Sequence, residues 1–369
     1  MSIDIPFLDL KSGYLELEDE IDAAMRRVAG SGWYIGGPEV DAFETDFAGY
    51  CGAKHCIGVG NGLDALQLAL RAMDVGPGDE VIVSSNTFIA TLLAVTMAGA
   101  TPVLVEPDPA THNLDPARIE AAITPRTRVI LPTHLYGQPA DLDPILDLAG
   151  RYGLTVLEDA AQAHGARYKG RRIGAHGTAV AWSFYPGKNL GAMGDAGAVT
   201  TEDPVLADRI RTLGNYGSRR KYVNEVRGVN SRLDPLQAAI LAVKLRHLDA
   251  WATRRQRIAA LYLDGLAGTG LILPHVPNWA DPAWHLFVVQ AADRDGLAAA
   301  LAAQGVQTLV HYPVAPHRQQ AYADLDLNEG AFPVAERLAG EVLSLPIGPH
   351  LSVEQAERVV AAIRHHASA

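Results

Sequence analysis

The sequence predicts an α/β protein, with a large domain built on a doubly wound, mostly parallel sheet and a smaller α+β domain after it. Three observations carry that prediction. Short β-branched runs alternate with helical patterns through the first two thirds of the chain. A chain of 369 residues is long enough for two domains. Near residue 270 the periodic pattern is interrupted by Gly268-Thr269-Gly270 and by a stretch from Pro274 to Pro282. The larger unit is expected over residues 1–250 and the smaller over residues 251–369.

In chain order, residues 14–29 read as an amphipathic helix, and Pro38 to Tyr50 as a second helix opened by proline in its first turn. Cys56 to Val59 reads as a strand leading into a helix from Leu63 to Leu70. Glu80 to Val83 and Thr101 to Val105 read as strands on either side of a helix near Ile89 to Ala98. Val129 to His134 is a further strand, followed by a helix from Asp141 to Arg151. Thr155 to Leu157 and Thr178 to Trp182 are short and apolar enough for buried strands. Asp234-Pro235 opens a helical pattern that runs to about Leu266. A strand from His285 to Gln290, a helix from Arg294 to Gln304, another strand and a helix from Val353 to His365 complete the chain.

Composition excludes several classes of function. There are 42 acidic and 31 basic residues, a formal charge of -11, and Arg219-Arg220-Lys221 is the one basic block, so nucleic-acid binding is not expected. That trio reads either as a solvated loop or as a local site for a small anion. Cys51 and Cys56 are the only cysteines, too few for a four-ligand structural zinc site, and no metal is expected. Few cysteines and no apolar run near 20 residues predict a cytoplasmic protein without a membrane partner.

The chemistry concentrates in Ser183 to Gly191. Pro186 and Gly187 break the strand, Gly191 and Gly194 keep the loop tight, and Lys188 is held at the strand end with apolar sequence behind it. A buried lysine loses solvation and becomes a usable nucleophile, whereas an ordinary loop lysine stays in water. Partners elsewhere in the sequence decide between the two. The run ending in Glu158-Asp159 puts two carboxylates at a strand end on opposite faces, so only one can serve the site. Gly60-Asn61-Gly62 opens a helix whose first amides can take a phosphate. It completes neither the strict dinucleotide fingerprint, since Ala65 stands at the third glycine, nor the P-loop, which needs Gly-Lys-Ser/Thr. A lysine, a carboxylate and a phosphate cup are what pyridoxal phosphate (PLP) requires.

Three segments, Glu158 to Gly165, Ser183 to Gly191 and Gly228-Val229-Asn230-Ser231-Arg232, in this order, resemble the DegT/DnrJ/EryC1/StrS family of PLP-dependent sugar aminotransferases. The resemblance implies the aspartate aminotransferase fold, fold type I. It implies that Lys188 attaches PLP and moves protons, that Asp159 faces the pyridine nitrogen, and that Gln162 meets the ring hydroxyl. Phe88 corresponds to the ring-stacking aromatic, and Gly62, Leu63 and Ser183 to the phosphate cup. Asn230 corresponds to a phosphate contact supplied by a neighbouring subunit, which implies a homodimer with shared active sites. Gly60 to Leu66, Tyr216-Gly217-Ser218 with Lys221-Tyr222, and His311-Tyr312-Pro313 are similar to the branch acting at C3 of 6-deoxy sugars. By that likeness Lys221 and Tyr222 meet the pyrophosphate or sugar, and Tyr185, His311 and Tyr312 the hexose. Met193, Ala315 and Arg318 depart from the branch and leave the configuration of the product open. The implied reaction moves an amino group from glutamate to C3 of a nucleotide-linked keto sugar, with dTDP as the nucleotide. A transaminase acting at C4 and a cofactor-binding regulator without turnover are the alternatives. Lys188 disfavours the dehydratases of the family, which carry histidine there.

Overall fold

The computed structural model describes residues 4–367. Seven strands, in chain order β1 (His55–Val59), β2 (Glu80–Ser84), β3 (Thr101–Val105), β4 (Thr127–Leu131), β5 (Thr155–Asp159), β6 (Ala179–Ser183) and β7 (Gly197–Thr201), form one sheet. Their order across the sheet is β1-β7-β6-β5-β4-β2-β3. β7 runs antiparallel to both neighbours, and every other adjacent pair is parallel. Six strands therefore end on the same side, which brings Val59, Ser84, Leu131, Asp159 and Ser183 to one edge, the edge where open α/β sheets bind ligands.

Both faces of the sheet are covered, which is why its strands read as nearly unbroken apolar runs. On one face Val180, Trp182 and Phe184 pack against α2 (Pro38–Cys51) and α7 (Pro235–Leu245). On the other, Val81, Val83, Leu131, Leu157 and Ala181 meet α3 (Gly62–Ala72), α4 (Ile89–Met97) and α6 (Pro204–Gly214). The alternation of Val180 and Ala181 between the two cores is the period of two that a strand imposes. α5 (Leu142–Tyr152) closes a third cluster with Ile82, Ile130 and Val156, and α1 (Glu18–Ser31) lies on α7. Phe47 meets Trp182 and Phe184 edge-on with centroids 5.2 Å away in each case. Such pairs contribute about 0.5–1.5 kcal/mol each beyond their buried area, and they set the sheet face from which the Lys188 loop departs.

A second, two-stranded antiparallel sheet joins β8 (Phe287–Gln290) to β9 (Val342–Leu345). α8 (Leu248–Gly265), α9 (Arg294–Ala303) and α11 (Val353–Ala367) pack with it around Tyr262, Phe287, Leu301 and Ile363, while α10 (Pro333–Glu341) packs through Leu338 on Leu286, Val288 and Val342. Ile5 belongs to the first of these cores and bridges Val306, so the N-terminal segment is pinned here.

The helical pattern expected from Asp234 to Leu266 is two helices, broken at Arg246 and His247. α7 buries Ala239, Ile240 and Val243 against α1, whereas α8 buries Ile258, Ala259 and Tyr262 in the core of the second sheet. One straight helix cannot present its apolar face to both. The helix expected over residues 14–29 likewise divides into Leu10–Leu15 and α1. Glu16, at the break, accepts from Arg254 and Trp251 and bonds His350 at 2.6 Å. The strand expected to reach His134 ends at Leu131, because Pro132 has no N–H to donate and the chain turns at Tyr136, whose φ is 61°. Among the described residues no helix is long and apolar enough to cross a membrane.

Candidate active site

Lys188 leaves the end of β6 in a turn closed by its own amide, which donates to the Tyr185 carbonyl at 2.8 Å. A Cβ on Gly191 would lie 2.3 Å from the Pro186 carbonyl oxygen, so only glycine allows the loop to double back so tightly. α7 holds the far limb of the loop: Lys244 Nζ donates to the Gly191 carbonyl (2.7 Å), and Gln237 Oε1 accepts from the Met193 amide (2.8 Å). The Lys188 side chain is half-buried, with no hydrogen-bond or ion-pair partner for Nζ among the described residues. Burial pushes its ammonium down to about 8, against the opposing pull of the Asp159 carboxylate. An amine with that value is neutral, and so nucleophilic, in a far larger fraction near neutral pH than an ordinary lysine, roughly one-tenth at pH 7.

The two carboxylates at the end of β5 part as the strand geometry requires. Glu158 is fully buried, accepts from the Gly177 amide at 2.6 Å and pairs with His134 Nε2 at 2.9 Å. Burial raises its carboxyl, but the hydrogen bonds from His134 and the Gly177 amide help outweigh that and leave it lowered. His134 Nδ1 accepts from the Ala140 amide, so the proton of the neutral ring sits on Nε2, facing Glu158. Asp159 faces the Lys188 side, 5% exposed, with Oδ2 accepting from Thr91 Oγ1 at 2.8 Å and Oδ1 from the Ala161 amide at 3.2 Å.

The phosphate-cup residues also meet. Asn61 caps α3 by accepting from the Asp64 amide (2.8 Å), which leaves the amides of Gly62 and Leu63 at the helix tip without a protein acceptor. A Cβ on Gly62 would lie 2.6 Å from the Ser183 Cβ, so the missing side chain is what lets the helix tip close on the end of β6. The arrangement is an anion site: unsatisfied amides, a helix N-terminus and a serine hydroxyl. Ser231 Oγ accepts from the Gly60 amide (2.9 Å) and donates to Asp64 Oδ2 (2.6 Å), fixing the same loop from behind.

Above this floor the Phe88 ring is 49% exposed, at the N-terminus of α4, and lies 5.3 Å from the Tyr312 ring. Gln162 Oε1 accepts from the Tyr136 amide (2.5 Å), and Nε2 donates to Tyr312 Oη (3.0 Å), so one N–H of its carboxamide remains for a ligand. His311 bonds Ser344 Oγ through Nδ1 (2.9 Å), and burial and then the Lys188 charge push it down to about 4. The sequence reading missed His285, which bonds Asn189 (3.2 Å) and is driven far down by burial and then by Lys188. It missed Tyr136 and Thr91 as well. No local pattern marks these residues, since only the assembled fold brings them to Lys188, Asp159 and Gln162. The outcome is one amine with a lowered proton affinity near two imidazoles that burial keeps neutral.

The other expected site residues lie on the surface of the chain. Tyr185 is 59% exposed and Tyr222 88%, and no hydrogen bond, ion pair or ring contact joins Lys221, Tyr222 or Asn230 to Lys188 or Asp159. Lys221 Nζ instead sits 5.1 Å over the Tyr222 ring. Arg219 is taken up by Asp208 and Glu225, so the basic trio is not a free anion site at that position. Asn230 is exposed and its backbone bridges Asn215. The residues that do converge fit a PLP-type group: open amides for a phosphate, a fixed carboxylate, an unpartnered amine and an exposed aromatic face.

Residues 15–364 match the DegT/DnrJ/EryC1/StrS aminotransferase family. The erythromycin biosynthesis sensory transduction protein EryC1 of Saccharopolyspora erythraea is 61% identical over 98% of this chain and 99% of its own. The dTDP-3-amino-3,4,6-trideoxy-alpha-D-glucose transaminase of Streptomyces venezuelae is 58% identical over 98% and 96%. Among solved structures, S. venezuelae DesV in complex with a ketimine intermediate superposes with a TM-score of 0.98 at 57% identity over 99% of both chains. NtdA of Bacillus subtilis with bound cofactor PMP gives 0.92 at 32% identity over 100% of this chain and 86% of its own.

Proposed function

We propose that this chain, which belongs to the DegT/DnrJ/EryC1/StrS aminotransferase family, is a PLP-dependent transaminase acting at C3 of a nucleotide-linked keto sugar. The observation that carries the reading is the convergence of the lowered amine of Lys188, the fixed carboxylate of Asp159 and the open amides of Gly62 and Leu63 at one sheet edge. The C3 position and the dTDP nucleotide are supported by the 58% identical transaminase. Glutamate as donor follows from family likeness. The division at about residue 250 is supported by separate apolar cores on the two sheets, and a cytoplasmic location by two cysteines that are both free and buried.

PLP, when bound, supplies the electron sink for a carbanion. Asp159 holds the proton on the pyridine nitrogen, and Phe88 and Gln162 orient the ring. The Gly62 and Leu63 amides and Ser183 bind the phosphate. Lys188 Nζ would hold the group, and its amine is placed to move a proton as general acid and base. His285 and His311, kept neutral, add no positive charge beside that amine.

A homodimer completes the site in this reading. Asn230, Lys221 and Tyr222 are exposed and do not reach their own chain's lysine, and a two-fold axis would deliver each to the partner. One observation favours a second reading, a cofactor-binding regulator: the 61% identical relative is named a sensory transduction protein. Incubation with glutamate and dTDP-linked 3-keto- and 4-keto-6-deoxyhexoses, with the product read by NMR, separates the readings. The expected product carries nitrogen at C3. An amine at C4 would move the site of action, and no amine from either sugar would favour the regulator.

A further inference from the structure

Three buried threonines behind Asp159 have no part in the chemistry described so far. Thr91 Oγ1 donates to Asp159 Oδ2 at 2.8 Å, Thr87 Oγ1 lies 2.8 Å from Thr91 Oγ1, and Thr133 Oγ1 lies 3.1 Å from Thr87 Oγ1. Their exposures are 0%, 2% and 5%, so water is not an alternative partner. Each hydroxyl has one proton to give. Thr91 gives its proton to the carboxylate, so Thr87 must be the donor to Thr91, and Thr133 the donor to Thr87. Every dipole in the row then points its positive end toward Asp159.

We propose that Thr133, Thr87 and Thr91 form a one-way hydroxyl relay that fixes the Asp159 carboxylate as an oriented anion for a cationic ring nitrogen. The three come from different elements: Thr133 follows β4, Thr87 precedes Phe88, and Thr91 lies in the first turn of α4. The relay thus ties the strand-end carboxylate to the loop that carries the exposed Phe88 ring. The backbone closes the same circuit, since the Asp159 amide donates to the Pro132 carbonyl and the His134 amide to the Asp159 carbonyl. In a buried, low-dielectric row each bond polarises the next, so the relay acts more strongly than its last hydrogen bond alone. Thr91 and Thr87 are positioning residues: they touch the carboxylate or one another and act through Asp159. This inference rests on the assignment of Asp159 above.

Thr91→Val keeps the shape and removes the hydroxyl. It is expected to lower kcat by about 10- to 100-fold, the range for removing a hydrogen bond to a charged functional group, with KM for the sugar little changed. The affinity of the apo-enzyme for PLP, measured by equilibrium titration, is expected to fall alongside. Thr91→Ser, which restores the donor, is expected to recover most of both losses, which a packing role for the methyl group would not allow. Thr87→Val should cost several-fold in the wild-type background and nothing further in the Thr91→Val background, because its effect passes through Thr91. If Thr91→Val does not fold, the Thr87→Val and Thr91→Ser arms still decide. Wild-type PLP affinity and kcat in Thr87→Val, or failure of Thr91→Ser to recover, would overturn the relay. Asp159→Asn separates the two levels of the argument. If it is impaired while Thr91→Val is not, the relay alone is wrong. If Asp159→Asn itself behaves as wild type, the assignment of Asp159 is wrong.

Discussion

Replacing Lys188 by alanine is expected to abolish turnover while leaving the fold and much of the affinity for PLP in place. The side chain is half-buried and its Nζ bonds to no other side chain, so its loss breaks no ion pair and leaves no buried partner unsatisfied. In the proposed site the phosphate and ring contacts are assigned to Gly62, Leu63, Ser183, Phe88 and Asp159, not to Lys188. Removing both the attachment point and the positioned proton carrier should cost at least about 10⁴-fold in kcat, the upper end of what a general base contributes alone. Steady-state assay beside PLP titration and circular dichroism checks this. Turnover within about 100-fold of wild type would show that another group moves the proton.

Asp159→Asn is expected to lower kcat by roughly 10²–10³-fold, the loss seen when one preorganised electrostatic partner is removed. The amide has nearly the same shape, and its one oxygen can keep the bond from the Ala161 amide while its nitrogen faces Thr91, whose hydroxyl can turn to accept. The backbone bonds from Asp159 to Pro132 and from His134 to Asp159 are untouched, so the strand end should hold, and the effect should appear in kcat far more than in melting temperature. What is lost is the negative charge that keeps a ring nitrogen protonated. Glu158→Gln provides the contrast, since Glu158 faces His134 and Gly177 behind the sheet. Its substitution should act on stability first. A variant at Asp159 within a few-fold of wild type would make that residue a structural carboxylate.

Much of this site was legible in the sequence because its parts sit at strand ends marked by glycine and proline. Lys188 lies after a Pro-Gly break, Asp159 at the end of a β-branched run, and Gly62 at the first turn of a helix, so each position follows from local pattern. Thr91, Tyr136 and His285 carry no such mark. Thr91 meets Asp159, Tyr136 meets Gln162 and His285 meets Asn189 beside Lys188 only once segments far apart in the chain have packed together. The break between α7 and α8 was illegible for another reason. Neither Gly nor Pro stands at Arg246 and His247, and the helix ends there because two different cores compete for its apolar face. Lys221, Tyr222 and Asn230 depend on a second chain, which no single-chain pattern can place.

The attachment of PLP to Lys188 is tested most directly by covalent trapping. Apo-enzyme mixed with PLP from about pH 6 to about pH 10 is reduced with borohydride after short times, digested, and mapped by mass spectrometry. The account predicts reduced cofactor on the peptide containing Lys188 alone, with the initial rate of attachment half-maximal near the lowered value of about 8 and saturating above it, where the amine is neutral. Label on Lys244 or any other lysine, or a rate still rising toward the ordinary lysine value of 10.5, would contradict it.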